Sequence, residues 1–108
     1  MQLLKEQTCK AASFLKGLAS EHRLSILCAI ADGEMCVGAI QEKTGMPQTS
    51  VSQHLAKLKQ EGIVNFRREH RTLHYYISNN EAKDIMKILH TAFCEAQIPA
   101  KSNTGKNI

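Results

Sequence analysis

The segment from Pro47 to Gly62 constrains the fold of this chain more than any other part of the sequence. Proline is tolerated at the start of a helix, where its missing N–H is not needed, and glycine readily takes the positive φ that ends one. Between them, Val51, Leu55 and Leu58 fall on one side of a helix of about 3.6 residues per turn. The sequence therefore predicts an amphipathic helix whose apolar side packs on a core.

The opposite side of this helix carries polar side chains, none of them acidic. They are Thr49, Ser50, Gln53, Lys57 and Gln60. A predicted short helix over residues 36–43 and a glycine turn at residues 44–45 come immediately before it. Two helices joined in this way are typical of a helix-turn-helix, whose second helix enters the major groove of DNA. A merely solvated polar face is the alternative interpretation.

The N-terminal part of the chain predicts two further helices. Residues 2–18 carry one apolar stripe, and Ser20 can cap a second helix that ends at Asp32 and Gly33. The first stripe consists of Leu4, Ala11, Leu15 and Leu18, and the second of Leu24, Leu27, Cys28 and Ala31. The second stripe predicts that Cys28 faces the core.

After Gly62 the pattern changes to short runs rich in β-branched and aromatic residues. Residues 63–66 and 73–77 are predicted strands, and the basic segment between them predicts a hairpin with a basic tip. Helical periodicity returns over about residues 80–97, with Ile85, Ile88, Leu89, Ala92 and Ala96 on one stripe. Residues 99–108 have too little apolar content to pack, so a flexible tail is expected there.

Length and charge limit what the chain can be. Its 108 residues, 43% of them hydrophobic, allow one compact domain, predicted over residues 1–98. The predicted class is mainly α with a small β-hairpin (α+β), a winged helix-turn-helix. The net charge is +4, and three of the four arginines lie within residues 67–71, which favours a polyanionic partner such as double-stranded DNA.

No apolar run approaches the roughly 20 residues that cross a bilayer, and the N-terminus lacks a signal-peptide core. We therefore expect a cytoplasmic protein with no membrane partner. Reducing conditions there make permanent disulfides improbable for Cys9, Cys28, Cys36 and Cys94, so metal binding, redox sensing and plain burial remain open. An oxidoreductase or sulfur carrier lacks support, because there is no Cys-x-x-Cys pair and no βαβ pattern. We predict neither an enzyme nor a bound cofactor.

Three segments of the chain resemble the ArsR family of winged-helix repressors. They are residues 18–27, residues 49–58 with the run Ser-Gln-His-Leu at 52–55, and residues 62–64 continuing into Arg67-Arg68 and Tyr75-Tyr76-Ile77. The resemblance implies the order helix, helix, helix-turn-helix, hairpin, helix. It also implies a homodimer paired through the first and last helices, which agrees with their long apolar stripes.

The sensor residues differ from the metal-sensing patterns of that family. Gly38 stands where the second thiolate of a third-helix pair would be, and Asp84 is followed two positions later by Met86 rather than a histidine. No metal site is therefore expected. The chain instead resembles the subgroup that senses reactive sulfur species and oxidants, with thiols in the second and last helices, here Cys28 and Cys94. The resemblance implies that a persulfide or polysulfide inducer bridges these two cysteines and releases operator DNA.

Two alternatives stay open at this point. A thiophilic ion such as arsenite could be the inducer, bound by Cys36 with another thiol. An activator that displaces a silencing protein from DNA would use the same contacts as a repressor.

The predicted DNA contacts come from the second helix of the helix-turn-helix and from the hairpin. They are Gln48, Thr49, Ser50, Ser52, Gln53, Lys57, Arg67, Arg68, His70 and Arg71. Gln53 can hydrogen-bond an adenine edge, whereas Lys57 suits phosphate. The arginines suit the DNA backbone or the minor groove, where negative potential is concentrated. His54 points partly toward the core side and is interpreted as structural.

Overall fold

A computed structural model describes residues 1–94, and within them the chain forms five helices and one two-stranded sheet. The elements are α1 (Lys5–Leu18), α2 (Glu21–Ile30), α3 (Val37–Thr44), α4 (Gln48–Gln60), β1 (Val64–Glu69), β2 (Thr72–Ile77) and α5 (Asn80–Phe93). This order confirms the predicted fold class. The predicted tail over residues 99–108, and residues 95–97 of the predicted last helix, lie outside the described residues.

The core lies where α4 packs against α2, α3 and the start of the hairpin. Val51, Leu55 and Leu58 are completely buried, which confirms the predicted apolar side of α4. Ile40 of α3 is equally buried against them. Gly45 at the end of α3 has φ 76°, so the turn between the two helices uses the left-handed conformation that favours glycine.

The predicted core face of α2 is correct for Leu27, which is completely buried, and wrong for Cys28. The buried residues of this helix are Ile26, Leu27, Ala29 and Ile30, whereas Cys28 and Ala31 are exposed and Leu24 is only half-buried. Nearly every residue from Leu24 to Ile30 is apolar, so more than one stripe fits the helical period and the sequence does not select between them. The face that meets α3 and α4 is buried, and Cys28 lies beside it.

The hairpin is longer than predicted and its loop is shorter. Glu69 pairs with Thr72, which leaves only His70 and Arg71 in the loop. His70 has φ 59°, a left-handed conformation that is uncommon outside glycine but that histidine adopts more often than most residues. The basic segment therefore belongs largely to the strands.

A third segment extends the sheet. Met35, in the loop before α3, forms a bridge with Tyr75 of β2. The Met35 N–H donates to the Tyr75 carbonyl at 3.0 Å, and the Tyr75 N–H donates back at 2.8 Å. Strand β2 is thus held on both sides, by β1 and by the chain that leads into α3.

Helices α1 and α5 leave large apolar side chains in solvent. Leu4 and Leu15 of the α1 region are 69% and 53% exposed, and Ile88 and Phe93 of α5 are 65% and 64% exposed. Helix α1 joins the core mainly through Leu18 and the half-buried Phe14. No helix in the described part of the chain is both long and apolar enough to span a membrane.

Candidate nucleic-acid interface and thiol pair

The outer side of α4 presents the polar side chains that the sequence assigned to DNA. Gln48, Thr49, Ser52, Gln53 and Lys57 are exposed, and Ser50 is half-buried. The helix begins directly after Pro47, whose side chain offers no cap, so the first N–H groups of α4 remain available to an anion such as phosphate. This side of α4 can therefore contact both base edges and the DNA backbone.

His54 lies between this outer side and the core. Its ring centroid is 5.7 Å from that of His22 at the start of α2. Burial lowers the pKa of His54, and the positive charges of Arg23, His22 and Lys57 lower it further. His54 is consequently neutral at pH 7 and contacts α2 with an uncharged ring.

The arginines of the hairpin are in different environments. Arg67 donates a hydrogen bond from Nε to Glu34 Oε1 at 2.7 Å, and Glu69 Oε1 lies 3.5 Å from its Nη1. The hydrogen bond from Arg67 lowers the pKa of Glu34, so that carboxylate stays charged. Arg68 and Arg71 are exposed and have no ion pair with any residue of the range 1–94. Of the three, Arg68 and Arg71 are the more available to DNA.

One groove lies next to the predicted sensor thiol Cys28 and to the helical turn before the other, Cys94. A groove of about 700 Å³ between α2 and α5 is lined by Cys28 on one side and by Met86, Lys87 and His90 on the other. Cys94 follows His90 by one helical turn, and its N–H donates to the His90 carbonyl at 2.8 Å. The structure therefore brings Cys28 and the turn before Cys94 to the same groove. Both thiols are exposed, and neither forms a disulfide within residues 1–94.

The other two cysteines lie elsewhere. Cys9 is exposed in a separate groove beside Phe14 and Glu61, and Cys36 is half-buried at the N-cap of α3. Among residues 1–94 no group of three or more histidine, cysteine, aspartate or glutamate side chains is arranged to hold a metal ion.

The helix-turn-helix, the paired hairpin beside it and the exposed polar side of α4 define a winged-helix DNA-binding protein. Residues 20–65 match the model of the bacterial regulatory proteins of the ArsR family. The chain is also 38% identical over 96 residues to the transcriptional activator HlyU of Vibrio cholerae, covering 89% of both chains. It belongs to the ArsR family and is a transcriptional regulator.

Solved structures of relatives agree with this assignment. Reduced HlyU from Vibrio cholerae superposes with a TM-score of 0.79 at 39% identity, covering 83% of this chain and 95% of that one. The transcriptional repressor BigR from Xylella fastidiosa superposes with a TM-score of 0.76 at 31% identity, covering 83% and 92%. These relatives are transcriptional regulators and not enzymes.

Proposed function

We propose that this regulator is a homodimeric repressor that binds double-stranded operator DNA while its thiols are reduced. It releases the operator when a persulfide, polysulfide or other oxidant joins Cys28 and Cys94 through their sulfur atoms. Helix α4 reads the bases, and Arg68, His70 and Arg71 bind the DNA backbone or minor groove beside it.

The observation that carries the proposal is the groove shared by Cys28 and His90. Cys94 lies about 6 Å further along the α5 axis than His90, at the rise of about 1.5 Å per residue. A direct disulfide needs Cα atoms roughly 4.4–6.8 Å apart, and each added sulfur lengthens the bridge by about 2 Å. A bridge with more sulfur atoms can therefore join cysteines on α2 and α5 across a wider Cα separation than a direct disulfide can.

The chemistry needs only the two thiols and a persulfide. The Cys28 thiolate attacks the outer sulfur of R–S–SH and breaks its S–S bond, giving a Cys28 persulfide and the thiol R–SH. The Cys94 thiolate then attacks the Cys28 Sγ, forming the disulfide and releasing H₂S. The persulfide is reduced and the two cysteines are oxidised, so electrons balance without a cofactor.

The bond between Cys28 and Cys94 affects DNA binding because α2 and α4 pack in the same core. Ile26 and Leu27 are completely buried and belong to the same core as Leu55 of α4. A bond from Cys28 to α5 pulls on the exposed side of α2 while these residues hold its other side. Because packed cores do not deform continuously, the strain changes the position of α4 relative to the hairpin.

The relatives support the class of the proposal. One solved relative is described as reduced HlyU, and another as a transcriptional repressor. HlyU itself is named an activator and BigR a repressor, so relatives with this architecture carry both descriptions. An ion inducer bound by Cys36 with another thiol stays the alternative, and Cys36 is half-buried at the N-cap of α3.

Cysteine substitutions test the proposed switch. Operator DNA is first selected from a random-sequence pool, and its affinity is then measured by fluorescence anisotropy before and after persulfide treatment. We expect the treated wild-type protein to bind about 5–150 times more weakly, the usual range of coupling between two sites. Cys28→Ser and Cys94→Ser should bind normally when reduced and lose this response.

Cys9→Ser is the matched control and should respond as the wild type does. Release of DNA by Cys94→Ser after persulfide treatment would contradict the bridge. Titrating the reduced protein with arsenite separates the ion alternative, since loss of DNA binding that depends on Cys36 would favour it. Mass spectrometry of the treated wild type identifies the bridge and counts its sulfur atoms.

Two further substitutions distinguish base reading from backbone binding. Gln53→Ala should cost about 1–3 kcal/mol on the selected operator and relax its preference at one base pair. Arg68→Ala should weaken binding to all sequences alike and reduce the slope of log affinity against log salt by about 1. Gln41→Ala on α3 is the control. Equal loss of affinity by Gln53→Ala on all sequences would contradict base reading by α4.

A further inference from the structure

We propose that the groove beside Cys28 binds a low-molecular-weight persulfide that carries carboxylates. The lysine side chains of the groove bind these carboxylates and so select an anionic inducer over a neutral one. This inference rests on the proposed function and specifies the substrate class of the same thiol.

The groove has an excess of positive charge. Its wall contains three lysines, Lys43 at the end of α3 and Lys83 and Lys87 on α5, against one carboxylate, Asp32. None of the three lysines forms an ion pair with another residue in the portion that the structure describes. Their charges are thus free to attract an anion to the side of Cys28.

The lysines and the carboxylates of helix α5 lie on different sides of the helix. At about 100° per residue, Lys83, Lys87 and Cys94 fall within about 40° of one another, on the side of the groove. Glu81 lies about 160° from Lys83 around the same helix, and Asp84 lies about 100° from Lys83 and about 60° from Lys87. Neither carboxylate lines the groove. The acidic side chains of α5 therefore do not cancel its lysines at the groove, and the proposed second thiol lies on the basic face.

The rest of the lining suits an organic molecule. The apolar part of the lining consists of the exposed Ala31 and the edges of the largely buried Ala29, Ile77 and Met86. The exposed Ser25 adds a hydroxyl. The volume of about 700 Å³ lies within the usual range of small-ligand sites, about 300–1,000 Å³. A peptide-sized thiol derivative with two carboxylates fits both the size and the charge.

Carboxylate binding also helps the sulfur transfer. The Cys28 thiolate forms a bond to the outer sulfur of the persulfide, and the electron pair of the broken S–S bond leaves on the inner sulfur. The leaving thiolate takes up a proton, and its carboxylates keep their contact with the lysines throughout. A neutral persulfide undergoes the same transfer without this attraction.

The test compares two persulfides on a protein in which the modified Cys28 accumulates. In a Cys94→Ser background, the rate of Cys28 persulfidation is followed by peptide mass spectrometry with glutathione persulfide and with neutral hydroxyethyl persulfide. Adding Lys83→Gln and Lys87→Gln should slow the glutathione reaction about tenfold, within the 10–10³ range of charge steering, and leave the neutral one unchanged. Lys10→Gln with Lys16→Gln on α1 is the charge-matched control.

A binding measurement separates this inference from the sulfur switch. S-methylglutathione has the same carboxylates but no sulfur to transfer, and it should shift the NMR amide signals of the groove in the wild type and not in the double lysine variant. Absence of these shifts, or equal rates for both persulfides in all variants, overturns carboxylate selection and leaves the switch intact. Failure of both persulfides to modify Cys28 overturns the proposed function instead.

Discussion

Replacing Leu55 with alanine is expected to lower the free energy of unfolding by about 2–5 kcal/mol. Leu55 is completely buried at the centre of α4 and shares the core with Val51 and Leu58 on the same helix and Ile40 on α3. Truncation leaves a cavity that rigid neighbours fill only in part. Because small domains are stable by about 5–15 kcal/mol, the loss is a large fraction of the total.

Urea unfolding followed by circular dichroism measures this loss at fixed protein concentration. Leu55→Met is the matched control, since a substitution that conserves volume usually costs less than about 1.5 kcal/mol. The alanine variant should also bind operator less well near its unfolding temperature. A cost below about 1 kcal/mol for Leu55→Ala would mean that α4 does not pack on the core as described.

The second large effect is expected at the exposed apolar side chains of α1 and α5. Leu15 and Ile88 are 53% and 65% exposed in the single chain, and the proposed homodimer covers both. The double variant Leu15→Lys, Ile88→Lys places charges inside that interface, where they lose their hydration. We expect a monomer in sedimentation, and an operator affinity lower by about 10²–10⁴, because a second linked half-site no longer contributes.

Ser78→Lys is the control for this experiment, since Ser78 is exposed in the turn before α5 and lies outside both helices. It adds a lysine at an exposed position and should remain dimeric. Circular dichroism must show that the double variant is still folded. A folded double variant that sediments as a dimer would contradict pairing through α1 and α5.

The sequence predicted the fold correctly where the local pattern of residues allows only one conformation or one buried side. In α4 the apolar residues recur at helical spacing among polar ones, so one side alone can be buried. The same holds for the turn at Gly45, because φ 76° is costly for other residues. Both features were predicted correctly, together with the element order.

The parts that were predicted wrongly or missed depend on contacts between distant segments. Nearly every residue of α2 from Leu24 to Ile30 is apolar, and only contacts with neighbouring elements decide that Ile26 is buried and Cys28 exposed. The ion pair between Glu34 and Arg67 joins residues 33 positions apart, which no local pattern indicates. The left-handed His70 was equally invisible, because the hairpin tip lacks the glycine or asparagine that usually marks such a turn.

The position of Cys28 was predicted wrongly, although the sequence did indicate the pair of thiols. Family resemblance indicated Cys28 and Cys94, but helical periodicity predicted that Cys28 faces the core, where a bulky inducer would not reach it. The structure places it in an open groove instead. The lysines of that groove come from α3 and α5, so their proximity to Cys28 is a property of the folded chain.

The bridge between Met35 and Tyr75 anchors the hairpin to the rest of the fold. An isolated two-stranded hairpin is only marginally stable in water, but here the third segment anchors it to the chain that enters α3. In the proposed function, where α4 enters the major groove, this anchor keeps the spacing between α4 and the neighbouring hairpin largely fixed in the free protein. Little entropy remains to be lost on docking, so affinity depends on whether this fixed spacing matches the operator.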